Sequence, residues 1–118
     1  MKLFKPGCRA RVINPYQSQY PDPMVIRKGE TLTAGRKDLQ WPGWVWCTAP
    51  SGKSGWVPER YLKIEQSPCL SLEDYDASEL TVELDERLFL IQFESGWYWA
   101  QKQQVQGWIP AECIELVD

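Results

Sequence analysis

Histidine is absent from the 118 residues, which removes the usual partner of cysteine in a mixed zinc site and the commonest catalytic base. The four cysteines, Cys8, Cys47, Cys69 and Cys113, show no CxxC spacing. A cluster of all four thiolates is the only metal arrangement they leave, and the expectation is no metal and no cofactor. No apolar run approaches the roughly 18 residues needed to cross a bilayer. Met1-Lys2-Leu3-Phe4-Lys5-Pro6-Gly7 carries charge but no apolar stretch after it, so it does not read as a secretory leader. Reduced thiols, a cytoplasmic location and no membrane contact follow as expectations. Neither a nucleophile elbow nor a phosphate loop is present. The paired acids Glu73-Asp74 with Asp76, and Asp85-Glu86, fall in loop-like stretches where carboxylates are normally just solvated. An enzyme, and with it a small-molecule substrate, is not expected.

What the chain does contain is a repeat. Gly43-Trp44-Val45-Trp46-Cys47 recurs as Gly96-Trp97-Tyr98-Trp99-Ala100, 53 residues on. Gly55-Trp56-Val57-Pro58-Glu59-Arg60-Tyr61-Leu62 recurs 52 residues on as Gly107-Trp108-Ile109-Pro110-Ala111-Glu112-Cys113-Ile114. Order and spacing hold within one residue, so the unit is duplicated.

Each copy reads as all-β. Gly43–Ala49, Leu88–Phe93 and Gly96–Gln101 are rich in β-branched and aromatic residues, and clusters such as Trp41-Pro42-Gly43, Pro50–Gly55 and Glu94-Ser95-Gly96 break them into short strands. Glu65-Gln66-Ser67-Pro68-Cys69 separates the copies as a short linker stiffened by Pro68. The nine prolines and eight glycines leave no room for a long helix. Charge divides sharply between the copies. Residues 1–64 hold 11 Lys/Arg against four Asp/Glu, formally +7, and residues 65–118 hold two against 12, formally −10. That asymmetry is compatible with two solvated domains of different pI, with two different partners, or with complementary faces that pair chains into a dimer.

The motifs resemble the Src-homology-3 (SH3) family, in its variant or bacterial form. Val12-Ile13-Asn14-Pro15-Tyr16 stands where that family opens, Arg27-Lys28-Gly29-Glu30 where its long loop closes, Trp44-Val45 at its tryptophan pair and Gly55–Tyr61 at its closing motif. In the second copy Ser71-Leu72-Glu73-Asp74-Tyr75 opens, Leu84-Asp85-Glu86 replaces Lys-Gly-Glu, and Trp97-Tyr98 and Gly107–Cys113 follow, with the long loop three residues shorter. The resemblance implies two small five-stranded β-barrels in tandem, residues 9–64 and 70–117.

It also implies a function, since family members bind proline-rich segments on a groove of aromatic rings. A polyproline II strand is already extended, so docking orders little. The implied groove of the first barrel comprises Tyr16, Asp22, Trp44, Pro58 and Tyr61; Asn14 replaces one groove tyrosine, and Asp22 is the one loop acid left to meet a ligand arginine. A secondary groove comprises Tyr75, Trp97 and Pro110, with Glu73 and Cys113 where tyrosines would stand, so the second barrel is expected to support the first. Strand alternation puts Trp46 on the face of Trp44 and opposite Val45 and Cys47. If the latter two face the core, Trp46, and likewise Trp99, either marks an interface or lies flat over its neighbours. Cys47 is expected as a small buried hydrophobe.

The expected function is therefore non-catalytic, adaptor-like recognition of a protein or proline-rich peptide. The alternative is a structural or dimerising platform with no peptide ligand. An aromatic cage for methylated lysine would use cation–π attraction, but the Pro58-x-x-Tyr61 arrangement favours a proline groove. Nucleic acid could engage the +7 half, yet the −10 half beside it would repel the same polyanion.

Overall fold

The computed structural model describes residues 8–20, 22–64 and 68–117, in which every regular element except two 3-10 turns is a strand. In chain order the strands are β1 (Cys8–Val12), β2 (Val25–Ile26), β3 (Thr31–Lys37), β4 (Trp44–Thr48), β5 (Ser54–Pro58), β6 (Leu62–Lys63), β7 (Cys69–Ser71), β8 (Tyr75–Asp76), β9 (Arg87–Glu94), β10 (Trp97–Lys102), β11 (Val105–Pro110) and β12 (Ile114–Val117). The 3-10 turns, Glu59–Tyr61 and Ala111–Cys113, each follow a proline held near φ −60° at the end of a strand. Tight turns close the hairpins. Between β9 and β10, Ser95 and Gly96 both take positive φ, the backbone twist that matches the twist of the flanking strands.

Pairing divides the strands into two five-stranded sheets, ordered β11-β10-β9-β1-β12 and β5-β4-β3-β7-β6, and a short β2-β8 pair. Among the described residues these sheets are open; the closed five-stranded barrels expected from the sequence are not formed. The strand memberships matter more. β1, from the first repeat, lies between β9 and β12 of the second, with Ala10 opposite Leu88 and Leu116. β7, from the second repeat, lies beside β3 and β6 of the first, with Leu32 opposite Cys69 and Leu62 opposite Ser71.

The compact units are accordingly not 9–64 and 70–117. One runs through Gln19 and resumes at Ser78; the other is Tyr20–Ala77. Each repeat has given its opening strand and the first arm of its long loop to the other. The segment read as an inter-domain linker instead falls within one unit. Its flanks, β6 and β7, pair antiparallel with Lys63 opposite Leu70, while Glu65, Gln66 and Ser67 lie outside the described residues.

The exchange preserves the hydrogen bonding of one unit in the other. Ser71 N–H donates to the Glu30 carbonyl at 2.9 Å, and Val12 N–H to that of Glu86 at 2.9 Å. Gly29 N–H donates to Ser71 O and Asp85 N–H to Val12 O, at 2.8 and 2.9 Å. Leu72 N–H meets Tyr61 O and Ile13 N–H meets Cys113 O, at 2.7 and 2.8 Å. In every case the donor and acceptor come from opposite repeats. Asp85 even reproduces the backbone of Gly29, at φ 70° against 91°.

Mixed ancestry extends into the core. In the discontinuous unit Ala10 and Val12 pack in one cluster with Leu80, Val82, Leu88, Leu90, Ala100, Ile109, Cys113 and Ile114. In the continuous unit Met24, Ile26, Leu32, Val45, Cys47, Val57 and Cys69 are all buried. Burying groups of this size contributes roughly 1.5–3 kcal/mol per side chain for the larger ones, so the exchanged strands are anchored by the ordinary hydrophobic effect.

Charge is redistributed by the same exchange. Tyr20–Ala77 holds seven Lys/Arg and eight Asp/Glu, formally −1, and the remainder of the chain holds six and eight, formally −2. The +7 and −10 halves do not survive as oppositely charged bodies, and nothing here supports the charge-paired dimer that was one reading of the asymmetry. Arg11 of the first repeat instead forms ion pairs with Asp85 and with Glu115, the latter at 2.6 Å, both from the second.

Candidate functional site

The groove residues named from the sequence are shared out between the two units. In Tyr20–Ala77, β4 and β5 place Trp44 directly opposite Pro58, and the 3-10 turn that Pro58 initiates carries Tyr61. The tyrosine completing the set is Tyr75 of β8. Its ring meets Tyr61 edge-on at 5.5 Å with planes at 88°, and its hydroxyl donates to the Trp56 carbonyl at 2.8 Å. Asp22 is exposed and forms an ion pair with Lys53 at 2.9 Å.

Tyr16, expected beside Trp44, belongs to the other unit. There it stands edge-on to Trp97 at 5.8 Å and 85°, and Trp97 lies opposite Pro110. The exchange has thus swapped the two opening tyrosines: Tyr75 with Trp44, Pro58 and Tyr61, and Tyr16 with Trp97 and Pro110. Cys113 occupies the position of Tyr61 in the second set, so that set has one ring fewer.

Burial decides what these rings can do. Trp44 is 4% exposed, Tyr61 6%, Tyr75 5% and Trp97 9%, and Pro58 and Pro110 are fully buried. Proline rings dock by stacking on open aromatic faces, and here those faces are occupied by protein. Of the expected groove residues only Asp22 is exposed, and Tyr16 is half-buried.

Trp46 and Trp99 behave as rim residues. Val45 and Cys47 are buried beneath β4, and Trp46 is half-buried on the outer side. It packs on Trp56 at 5.1 Å and Tyr20 at 5.5 Å, the Trp56 indole N–H donates to the Tyr20 hydroxyl at 3.2 Å, and the Arg36 guanidinium lies 5.5 and 5.3 Å from the two indole centroids. Trp99 rests on Trp108 at 5.3 Å and donates its indole N–H to Gln106 at 3.0 Å. Sequence reasoning missed the Tyr20–Arg36–Trp56 surround. Trp56 could have been found, because the β4–β5 hairpin puts it directly opposite Trp46. Arg36 comes from β3, the strand paired with β4, and Tyr20 is brought in from the long loop.

The titratable groups are structural in character. Burial raises the Glu79 carboxyl above the usual carboxylate range, against the opposing pull of the Gln19 N–H and the Tyr16 hydroxyl. Burial, reinforced by the adjacent Cys69 thiol, pushes Cys47 up to about 12. All four cysteines are free thiols. Among the described residues no group of three or more His, Cys, Asp or Glu side chains is placed to hold a metal ion, and no helix is long and apolar enough to cross a membrane.

Comparison with known proteins bears on the first repeat. The family profile described as "Variant SH3 domain" matches residues 9–65. The chain is 43% identical over 51 residues to "SH3 and PX domain-containing protein 2A" of Mus musculus, and to the same extent to that of Homo sapiens. The aligned stretch is 43% of this chain but only 4% of either relative. No solved structure matches. Residues 9–65 are therefore similar in sequence to a variant SH3 domain. In three dimensions that contiguous stretch is divided after Gln19 between two units.

Proposed function

We propose that the protein is a non-catalytic protein-binding module which, in the conformation described, acts as an interaction platform and not as an open proline-binding groove. The observation that carries this is the burial of Trp44, Pro58, Tyr61 and Tyr75 together. The variant SH3 match supports protein binding in general. The relatives span far more than this chain does, so their printed names supply no particular partner.

Recognition of a proline-rich peptide is the second reading, favoured by the gathering of Trp44, Pro58, Tyr61 and Tyr75 in one unit with Asp22 exposed. It requires those rings to open, which includes release of the Tyr75 hydroxyl from Trp56 O. An NMR titration of the labelled protein with a mixed library of proline-rich peptides separates the two. Silence at the Trp44 indole at millimolar peptide supports the platform. Shifts at Trp44 and around Tyr61 and Tyr75, abolished by Trp44→Ala in a variant shown to be folded, would establish the groove and overturn the platform reading.

A further inference from the structure

We propose that the outer face of β1, β9 and β10 is a docking surface for an extended acidic segment of a partner protein, held by Arg9 and Arg87 against Phe89. This rests on the protein-binding reading above but uses a surface that shares no residue with the aromatic groove.

Alternation along β1 and β9 buries Ala10, Val12, Leu88 and Leu90 and turns Arg9, Arg11, Arg87 and Phe89 outward. Pairing aligns these side chains in rows. Val117, Arg9, Phe89 and Gln101 lie side by side across four strands, and Glu115, Arg11 and Arg87 form the next row. Arg9, Arg87, Phe89, Gln101, Gln103 and Val117 line a depression of about 690 Å³, within the size range of ligand sites. Phe89 is 46% exposed inside it.

Three arginines crowd one small area of a chain whose formal charge is −3. Like charges on neighbouring strands are destabilising unless neutralised. Arg11 is neutralised, by Asp85 and Glu115. Arg9 and Arg87 are not: among the described residues neither guanidinium has an ion pair or hydrogen-bond partner. Two free forks beside an exposed ring are arranged for carboxylates attached to something apolar, since guanidinium binds carboxylate in bidentate fashion.

Spacing narrows the ligand further. Arg9 and Arg87 are diagonal neighbours on adjacent strands, on the order of 7 Å apart. In an extended chain, residues i and i+2 point the same way about 6.6 Å apart. A segment with acidic residues at alternate positions, preceded by an aromatic or aliphatic residue on the same face, satisfies both arginines and covers Phe89. A nucleic acid fits less well, because the other described cations of this unit, Arg11 and Lys102, are already ion-paired, and two free arginines do not follow a continuous run of phosphates.

The test uses the full chain and a fluorescein-labelled peptide, Ser-Phe-Ser-Glu-Ser-Glu-Ser, with its Lys-for-Glu counterpart, inorganic phosphate and a thymidine hexanucleotide as comparisons. Amide shifts at Arg9, Arg87, Phe89 and Gln101, with at least a tenfold loss of affinity in the Arg9→Gln/Arg87→Gln double variant and a smaller loss in Phe89→Ser, are expected. Those side chains are exposed, so the variants keep the fold, and unchanged amide dispersion elsewhere verifies it. Absence of shifts at millimolar peptide overturns the proposal, as does equal affinity in the double variant. Tighter binding of phosphate or of the oligonucleotide overturns it in favour of an anion or nucleic-acid surface. Any of these failures leaves the proline-peptide titration, which reports on Trp44, to decide separately between the platform and the open groove.

Discussion

The Tyr16 hydroxyl donates to Glu79 Oε1 at 2.8 Å, and the same oxygen accepts the Gln19 N–H at 2.9 Å. Tyr16 and Gln19 come from the first repeat and Glu79 from the second, so one carboxylate fastens the first arm of one long loop to the second arm of the other. Burial raises the Glu79 carboxyl, more than the two hydrogen bonds lower it. An acid whose folded pKa lies above its unfolded value adds stability at pH below the unfolded value, and that increment disappears as pH rises through the folded pKa. Glu79→Gln keeps an acceptor for Tyr16 and Gln19 without the buried charge. We expect melting temperatures of the variant to fall less than those of the parent as pH rises from the glutamate range to neutrality. Parallel pH profiles for the two proteins would show that Glu79 is not coupled to folding. Tyr16→Phe, which removes the donor, should cost about 1–2 kcal/mol at neutral pH.

The exchange also predicts which fragment folds. Residues 20–77 contain every strand from β2 to β8, hence a complete five-stranded sheet and its β2-β8 pair. Residues 9–65, the extent of the family match, lack β7 and β8 and carry β1 without the strands it pairs with. Expressed alone, 20–77 should give dispersed amide resonances and a cooperative urea transition, and 9–65 should be markedly less stable or unfolded. The reverse order of stability would mean that the repeats prefer contiguous folding and that β1 and β7 return to their own copies.

How much of this was legible in the chain depends on the range of the interaction. The hairpins around Trp44–Thr48 and Trp97–Lys102 are local, announced by alternating apolar residues and by Gly43 and Gly96 at positive φ. The inward placement of Val45 and Cys47 follows from the same alternation. Which opening strand joins which sheet is a different matter. Val12 and Ser71 make equivalent backbone hydrogen bonds, and backbone groups do not distinguish one repeat from the other. That choice rests on distant side chains: Arg11 meets Asp85 and Glu115, and the Lys28 N–H meets the Asp74 carboxylate at 2.9 Å. The +7 and −10 halves were the visible trace of that complementarity, though charge counts alone gave no register. The groove was misgrouped for the same reason. Tyr16 and Tyr75 hold matching places in the two repeats, and only the long-range pairing shows that each serves the other's sheet.

Thiol chemistry offers a test of the core. Cys47 and Cys69 come from different repeats, are both fully buried and interact through their side chains. With Cys47 pushed up to about 12, its thiolate fraction at pH 8 is on the order of one in 10⁴. Cys8 is only half-buried. Alkylation of the native protein at pH 8, followed by mass spectrometry, should therefore modify Cys8 first and leave Cys47 and Cys69 untouched until urea is added. Native labelling of Cys47 as fast as Cys8 would contradict a core in which β7 lies in the same sheet as β3 and β4.

Gly107 tests the closing motif. It begins the Gly-Trp-x-Pro sequence of the second repeat and is buried in β11, where the bridge between Glu79 and Trp108 brings the loop's second arm against it. A Cβ built there would stand 2.8 Å from Leu80 N and 2.9 Å from the Glu79 carbonyl carbon. Both obstacles are backbone, so they cannot turn aside as a flexible side chain would. Moving them also strains the Leu80 N–H to Trp108 O and Trp108 N–H to Ser78 O hydrogen bonds, each 2.9 Å. Overpacking of a well-filled site commonly costs 1–3 kcal/mol, and a backbone obstacle places Gly107→Ala at about the upper end. Gly52 is the control: its φ of 94° penalises a side chain, but nothing lies within 4 Å of the added atom. Gly52→Asn, which suits that backbone, should cost only a few tenths of a kcal/mol. Urea denaturation of the two variants beside the parent measures both. A Gly107→Ala variant no less stable than Gly52→Asn would show that the Glu79–Leu80 backbone does not rest on β11, and the second arm of that loop would need another placement.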